Sequence, residues 1–112
     1  MRIEEYRKLI SKSKRKNKYN AKPVVIDGFR FDSTREGKYY QKLKLAKASG
    51  ELIDFYRQVP FKLPGDITYR LDFLEVWKHG VIHTDTKGFS TRVSSMKIKQ
   101  VEEIYNIKIE VV

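Results

Sequence analysis

From Thr68 to Phe89 the chain reads TYRLDFLEVW, KHG, VIHTDTKGF: two stretches in which apolar residues alternate with polar ones, separated by a short break containing glycine. Alternation with period two fits a strand with one buried face, and a glycine between two such runs closes them into an antiparallel hairpin. The rest of the chain has to pack against this ribbon. With His79 and Gly80 as a two-residue turn, Lys78 faces Val81, Val76 faces His83, Leu74 faces Asp85 and Asp72 faces Lys87. A four-residue loop from Lys78 to Val81 gives the same register, and a three-residue loop shifts it. Alternation then puts Asp72, His83, Asp85 and Lys87 on one face, with the two aspartates diagonal neighbours at roughly 7–8 Å or less. Leu71, Phe73, Trp77 and Ile82 remain on the other face for a core.

The flanking segments supply the elements that cover the ribbon. MRIEEYRKLISK has Ile3, Tyr6, Leu9 and Ile10 at helical spacing, and SKSKRKNKYNAK has no period, which predicts a short helix and a basic linker. PVVIDGFRFDS is two short β-rich runs around Asp27-Gly28, a dipeptide suited to a tight hairpin turn. From Ser33 the period becomes helical: Tyr39, Tyr40, Leu43, Leu45 and Ala46 share a broad face, and Gly50 is a stop signal. LIDFYRQVPFKL follows as a strand in which Pro60 marks an edge position or a bulge. After Gly88, TRVSSMKIKQVEEIYN is a second helix with Val93, Met96, Ile98, Val101, Ile104 and Tyr105 as apolar positions, and IKIEVV is a closing strand. The expected order from Ser33 is α, β, β, β, α, β, a mixed α+β domain over residues 21–112 behind an arm of residues 1–20.

Two carboxylates on one strand face repel unless a cation compensates them. A cross-strand pair of Asp72 with Lys87 on a solvated face, Asp85 merely exposed, answers this at a gain of at most about 1 kcal/mol. The other answer is a metal site. The chain has no cysteine and two histidines, so neither a thiolate zinc site nor a histidine cluster is available, and any metal falls to carboxylates. Mg²⁺ takes oxygen ligands, which Asp72, Asp85 and the Thr86 carbonyl can supply, and Lys87 beside them can hold an attacking water. Both answers are open at this point. His83 shares the face, where it reads as an exposed strand histidine rather than a general base, since the lysine and metal already account for water activation.

Charge points to the partner. The net charge is +10, and residues 1–22 hold nine Lys or Arg against two Glu, so +7 of it lies in the arm and +3 in the rest. A basic arm on a basic domain fits a polyanion, most simply nucleic acid, through phosphate contacts and counterion release. Lys14, Arg15, Lys16, Lys18 and Lys22 in the arm, and Arg92, Lys97 and Lys99 on the second helix, are the candidate DNA contacts; a solvated, solubilising surface is the plainer alternative. No apolar run nears the length of a membrane span and the N-terminus lacks a signal-peptide core, so a soluble, cytoplasmic protein with no membrane partner is expected.

LDF with Asp72, followed across a hairpin by DTK with Asp85 and Lys87, resembles the core motif of the PD-(D/E)XK nucleases, whose shared fold runs αβββαβ. Within that superfamily, NKYNAK, DGFRFDSTREGKYY, RQVPF, LDF and TKGF resemble a group of small phage-borne proteins known as a domain of unknown function, related to Holliday-junction-resolving endonucleases, over residues 16 to 112. Leu71 stands where the motif has its proline. The resemblance implies a restriction-endonuclease-like core, Mg²⁺ or Mn²⁺ as cofactor, branched DNA as substrate, a bacterial host cell as location and a homodimer, since a resolvase cuts two strands symmetrically. It also implies an acid on the first core helix that reaches the metal, and Glu36 holds that position. Ser33-Thr34-Arg35-Glu36 equally fits a capping box, in which Glu36 only closes onto the Ser33 amide. Gln58 in RQVPF either lines the site or satisfies backbone groups near Pro60. The expectation is thus a metal-dependent endodeoxyribonuclease using Glu36, Asp72, Asp85 and Lys87; the alternative is a non-catalytic nucleic-acid-binding protein of the same fold.

Overall fold

The computed structural model describes residues 22–86 and 91–112. The expected helix of residues 1–12, the basic linker and Lys87 lie outside the described residues. Strands β1 (Val24–Ile26) and β2 (Phe29–Phe31) form a small antiparallel hairpin. Its turn residues Asp27 and Gly28 take φ +54° and +81°, the positive pair that a two-residue hairpin turn requires. Helix α1 (Thr34–Ala48) follows, then strands β3 (Leu52–Leu63), β4 (Ile67–Trp77) and β5 (Gly80–Asp85), helix α2 (Arg92–Tyr105) and strand β6 (Ile109–Val111). The sheet order is β3-β4-β5-β6, antiparallel except for the parallel pair β5–β6, which α2 connects. The domain is α+β with the expected order α, β, β, β, α, β, and β3, the strand containing Pro60, lies at an edge.

The β4–β5 hairpin forms, but in a register two residues from the expected one. Trp77 pairs with Gly80 and Leu74 with His83, so the turn is Lys78-His79. A turn on His79-Gly80 demands positive φ at a histidine; shifted by two, the unusual backbone falls on Gly80 alone, at φ +148°. A two-residue shift preserves the alternation along β5, so His83 and Asp85 keep a common face.

Along β4 the alternation does not survive. Leu71 joins a core cluster with Leu63, Tyr69, Ile98, Val101 and Ile109 against α2, whereas Phe73 joins Phe31, Tyr40, Leu43 and Leu52 against α1, with Trp77 packed alongside. Residues of like parity thus enter opposite cores, which corrects the single apolar face expected for Leu71, Phe73 and Trp77. The change of face falls at one place. Gln58 has φ +52°, and it and Asp72 are missing as a pair from a ladder that is otherwise continuous from Asp54↔Val76 to Leu63↔Ile67. A left-handed residue inside an edge strand turns the ribbon there, as a bulge does.

The helices cover less than their patterns suggested. On α1, Tyr40 and Leu43 are buried but Leu45 is 74% exposed. On α2 only Ile98 and Val101 are buried among the expected apolar positions; Val93, Met96, Ile104 and Tyr105 are exposed, because a four-stranded sheet meets one narrow face of the helix. Ser33 caps α1 by accepting from the Glu36 amide, and Thr91 with Ser94 forms a full capping box on α2. Gly37 lets the small hairpin lie on α1: a Cβ there would fall 2.7 Å from Val24 Cγ2. The Arg57 guanidinium, 4.2 Å from the Phe31 ring centre, ties the hairpin to the sheet.

Candidate metal centre

The break in pairing at Gln58 and Asp72 gathers the acids. Glu36, in the first turn of α1, is 5% exposed. Its backbone amide donates to Ser33 Oγ at 3.1 Å, while its carboxylate accepts from Gln58 Nε2, also at 3.1 Å. The helix cap is therefore formed by Ser33 alone, and the Glu36 side chain points to the strand rather than closing a capping box. The same Gln58 nitrogen approaches Asp72 Oδ1 at 3.5 Å. Asp72 Oδ2 accepts from the Thr86 amide at 2.9 Å and from the Thr86 hydroxyl at 2.8 Å. One chain of contacts thus runs from α1 through β3 and β4 to the end of β5, and among the described residues its donors to Glu36 and Asp72 are neutral.

Burial is the main reason that the Glu36 pKa is raised to about 7; the negative charges of Asp72 and then Asp32 add to it, and Arg57 and the Gln58 amide oppose it. Asp85 is 2% exposed and accepts a hydrogen bond from the Tyr69 hydroxyl. Burial first, then that bond, drives the Tyr69 pKa far upward, so Tyr69 is a neutral donor at every ordinary pH. Tyr69 and Glu75 are polar core residues that the sequence reading missed. Glu75, 1% exposed, accepts from Tyr39 at 2.7 Å and from Trp77 Nε1 at 2.8 Å. An acid and a tyrosine inside apolar alternating runs were the available signals.

Other expected residues fall into place around this chain. Thr86 is buried, and its amide and hydroxyl, not its carbonyl, meet Asp72. His83 is half-buried against Phe61, not exposed, and burial lowers its pKa. Tyr39 and Tyr40 are packing residues, the first bonded to Glu75 and the second to Asp27 at 2.9 Å. Lys22, Arg92 and Lys99 are exposed and Lys97 half-buried. Lys14, Arg15, Lys16 and Lys18 lie outside the described residues, as does Lys87, which follows Thr86 directly in sequence. Among the described residues, no group of three or more His, Asp or Glu comes together closely enough to hold a metal ion. Glu36 and Asp72 meet through Gln58, and Asp85 accepts from the Tyr69 hydroxyl. None of the helices among the described residues is long and apolar enough to cross a membrane.

Fold and site together define a small α+β domain in which Glu36 of α1 and Asp72 of β4 are bridged by Gln58 at a break in the β3–β4 pairing. The chain belongs to a family described as a protein of unknown function (DUF1064), whose model matches residues 16–111. No curated protein matches the chain, and neither does any solved structure.

Proposed function

We propose that the protein is a metal-dependent DNA endonuclease of the PD-(D/E)XK type, acting on branched DNA, with Asp72, Asp85, Thr86 and Glu36 as metal-site residues. The observation that carries this reading is the part-buried line of contacts Glu36, Gln58, Asp72, Thr86, ending one residue before Lys87. Bringing the buried Glu36 carboxylate close to the charge of Asp72 is unfavourable without a cation, and hard oxygen donors of this kind suit Mg²⁺ or Mn²⁺. Such an ion lowers the pKa of a bound water and offsets charge on the phosphodiester. The protein's own part is positional. Thr86 fixes Asp72 Oδ2 by two donors, Tyr69 fixes Asp85, and Gln58 holds Glu36 near Asp72 while leaving Asp72 Oδ1 only a long contact. Lys87 orients the attacking water in this reading, the basic arm of residues 1–20 holds the DNA backbone, and a homodimer supplies two sites for symmetric cutting in a host cytoplasm.

That no three acids among the described residues come together closely enough to hold a metal ion favours a second reading, a nucleic-acid-binding protein that keeps the fold without hydrolysis. Incubation with a four-way junction, a flap and a linear duplex, in Mg²⁺, Mn²⁺ or EDTA, separates the two. Metal-dependent cutting that Lys87→Ala and Asp85→Asn both abolish supports the enzyme and shows whether junctions or ends are preferred. Binding of all three substrates with no cutting in either metal overturns it.

A further inference from the structure

Beside the carboxylates lies a feature that the reading above does not use. Thr68, Tyr69 and Arg70 of β4, with Thr91, Ser94 and Lys97 at the start of α2, line a hollow of about 340 Å³. Arg70 is exposed and Lys97 half-buried, and neither is among the salt bridges formed by the described residues. Two cations facing one concavity without a paired acid create a positive potential there. The Thr91 and Ser94 side chains and amides serve each other in the capping box, so recognition falls to the long side chains and to Thr68. One wall is shared with the candidate metal centre: Tyr69 lines the hollow and donates its hydroxyl to Asp85. Arg70 precedes Asp72 by two strand positions, roughly 7 Å along β4.

We propose that this hollow is a subsite for one phosphodiester of a nucleic-acid backbone, next to the phosphate at the carboxylates. Arg70 and Lys97 hold its oxygens, and Thr68 donates from the rim. Arg suits this task because its planar fork pairs with two phosphate oxygens at once, and Lys adds a point charge. The subsite fixes which backbone position reaches Asp72 and Asp85 without reading a base. The identity of the ligand rests on the nuclease reading; the hollow and its unpaired cations do not.

The test follows amide shifts of the full chain by NMR, in EDTA, as inorganic phosphate or a short single-stranded deoxyoligonucleotide is added, for the unmutated protein, Arg70→Gln, Lys97→Gln and the double variant. The oligonucleotide should move the amides of Thr68, Arg70, Thr91 and Ser94. The double variant should bind about tenfold or more weakly, with each lost cation reducing the salt slope by about one. Arg70→Lys should keep the slope and show that the variant fold is intact. Absence of shifts at these amides, or equal affinity in the double variant, overturns the subsite, and a response to phosphate without one to the oligonucleotide overturns its backbone ligand. Parallel cleavage assays keep the two ideas apart. Metal-dependent cutting that the double variant retains in full leaves the nuclease and removes the subsite, whereas shifts lost in the variants of a protein that never cuts leave the subsite and remove the hydrolysis.

Discussion

The Gln58 side-chain amide donates to Glu36 at 3.1 Å from a residue held at φ +52°, inside a strand where every neighbour is extended. A non-glycine residue in that region costs about 1–2 kcal/mol and persists where its surroundings demand it. Gln58→Gly removes the strain and the bridge together. Its unfolding free energy should stay within about 1 kcal/mol of the unmutated protein, since relief and lost hydrogen bond nearly cancel. Cleavage should fall about 10–100-fold, as for residues that orient metal ligands. A denaturant curve and a cleavage time course on the same preparation check both halves.

Glu36 gives stability a pH dependence. Its pKa is about 7 in the folded protein against 4.5 ordinarily, so between those values the folded state binds more protons than the unfolded one. Stability from this group is therefore fully present below about pH 4.5 and is lost as pH rises to about 7, with an upper bound on the order of 3 kcal/mol. In EDTA, denaturant unfolding at pH 5 and pH 8 should show the loss, and Glu36→Gln should remove most of it. A slope unchanged by the substitution would show that another group carries it.

Gly37 is where the small hairpin meets α1. A Cβ there would lie 2.7 Å from Val24 Cγ2 and 3.0 Å from Ile26 Cδ1, too close for either contact to stand. Gly37→Ala gains roughly 1 kcal/mol of helix propensity and loses roughly 1–3 kcal/mol to overpacking, for a net fall in melting temperature. Combining it with Val24→Ala should recover part of the loss, which thermal denaturation of the single and double variants measures.

Tyr69 is a donor to the buried Asp85 carboxylate. Tyr69→Phe keeps the ring in the α2 core and removes only the hydroxyl. It should cost about 1–3 kcal/mol of unfolding free energy, the penalty for leaving a buried acceptor short of its partner. Urea denaturation at neutral pH reads this directly, and Tyr69→Phe at full stability would remove Tyr69 as the anchor of Asp85.

Removal of residues 1–20 takes away eight of the nine basic residues in the arm and its two glutamates. DNA affinity should fall and its dependence on salt should flatten, while metal-dependent cutting at saturating DNA remains. Filter binding across a salt series, beside a cleavage assay at high DNA concentration, tests the division between arm and domain. A truncated protein that folds but no longer cuts would place the arm inside the active site.

The order of elements, the Asp27-Gly28 turn, the Ser33 cap and the edge position of β3 were all legible in the sequence, because each follows from residues a few positions apart. Capping, turn chemistry and alternation are local effects. The acids were legible as candidates too: Asp72 does lie beside the end of β5, and Glu36 does turn toward the sheet. The register of the β4–β5 hairpin was not, since two turns one residue apart give registers that differ by two and keep the same faces, and the backbone need of Gly80 decides between them.

How the two cores divide β4 was decided by tertiary structure alone. Leu71 and Phe73 look equivalent along the chain, two residues apart in a regular alternation, yet one packs under α2 and the other under α1. Nothing in the chemistry of Gln58 announces a left-handed backbone; that conformation is imposed by helices closing on opposite sides of one strand pair. Residue types placed the carboxylates within reach of one another. The turn of the ribbon at Gln58 and Asp72, a response to packing at long range, decided that Glu36 meets Asp72 through an amide while Asp85 is held by Tyr69.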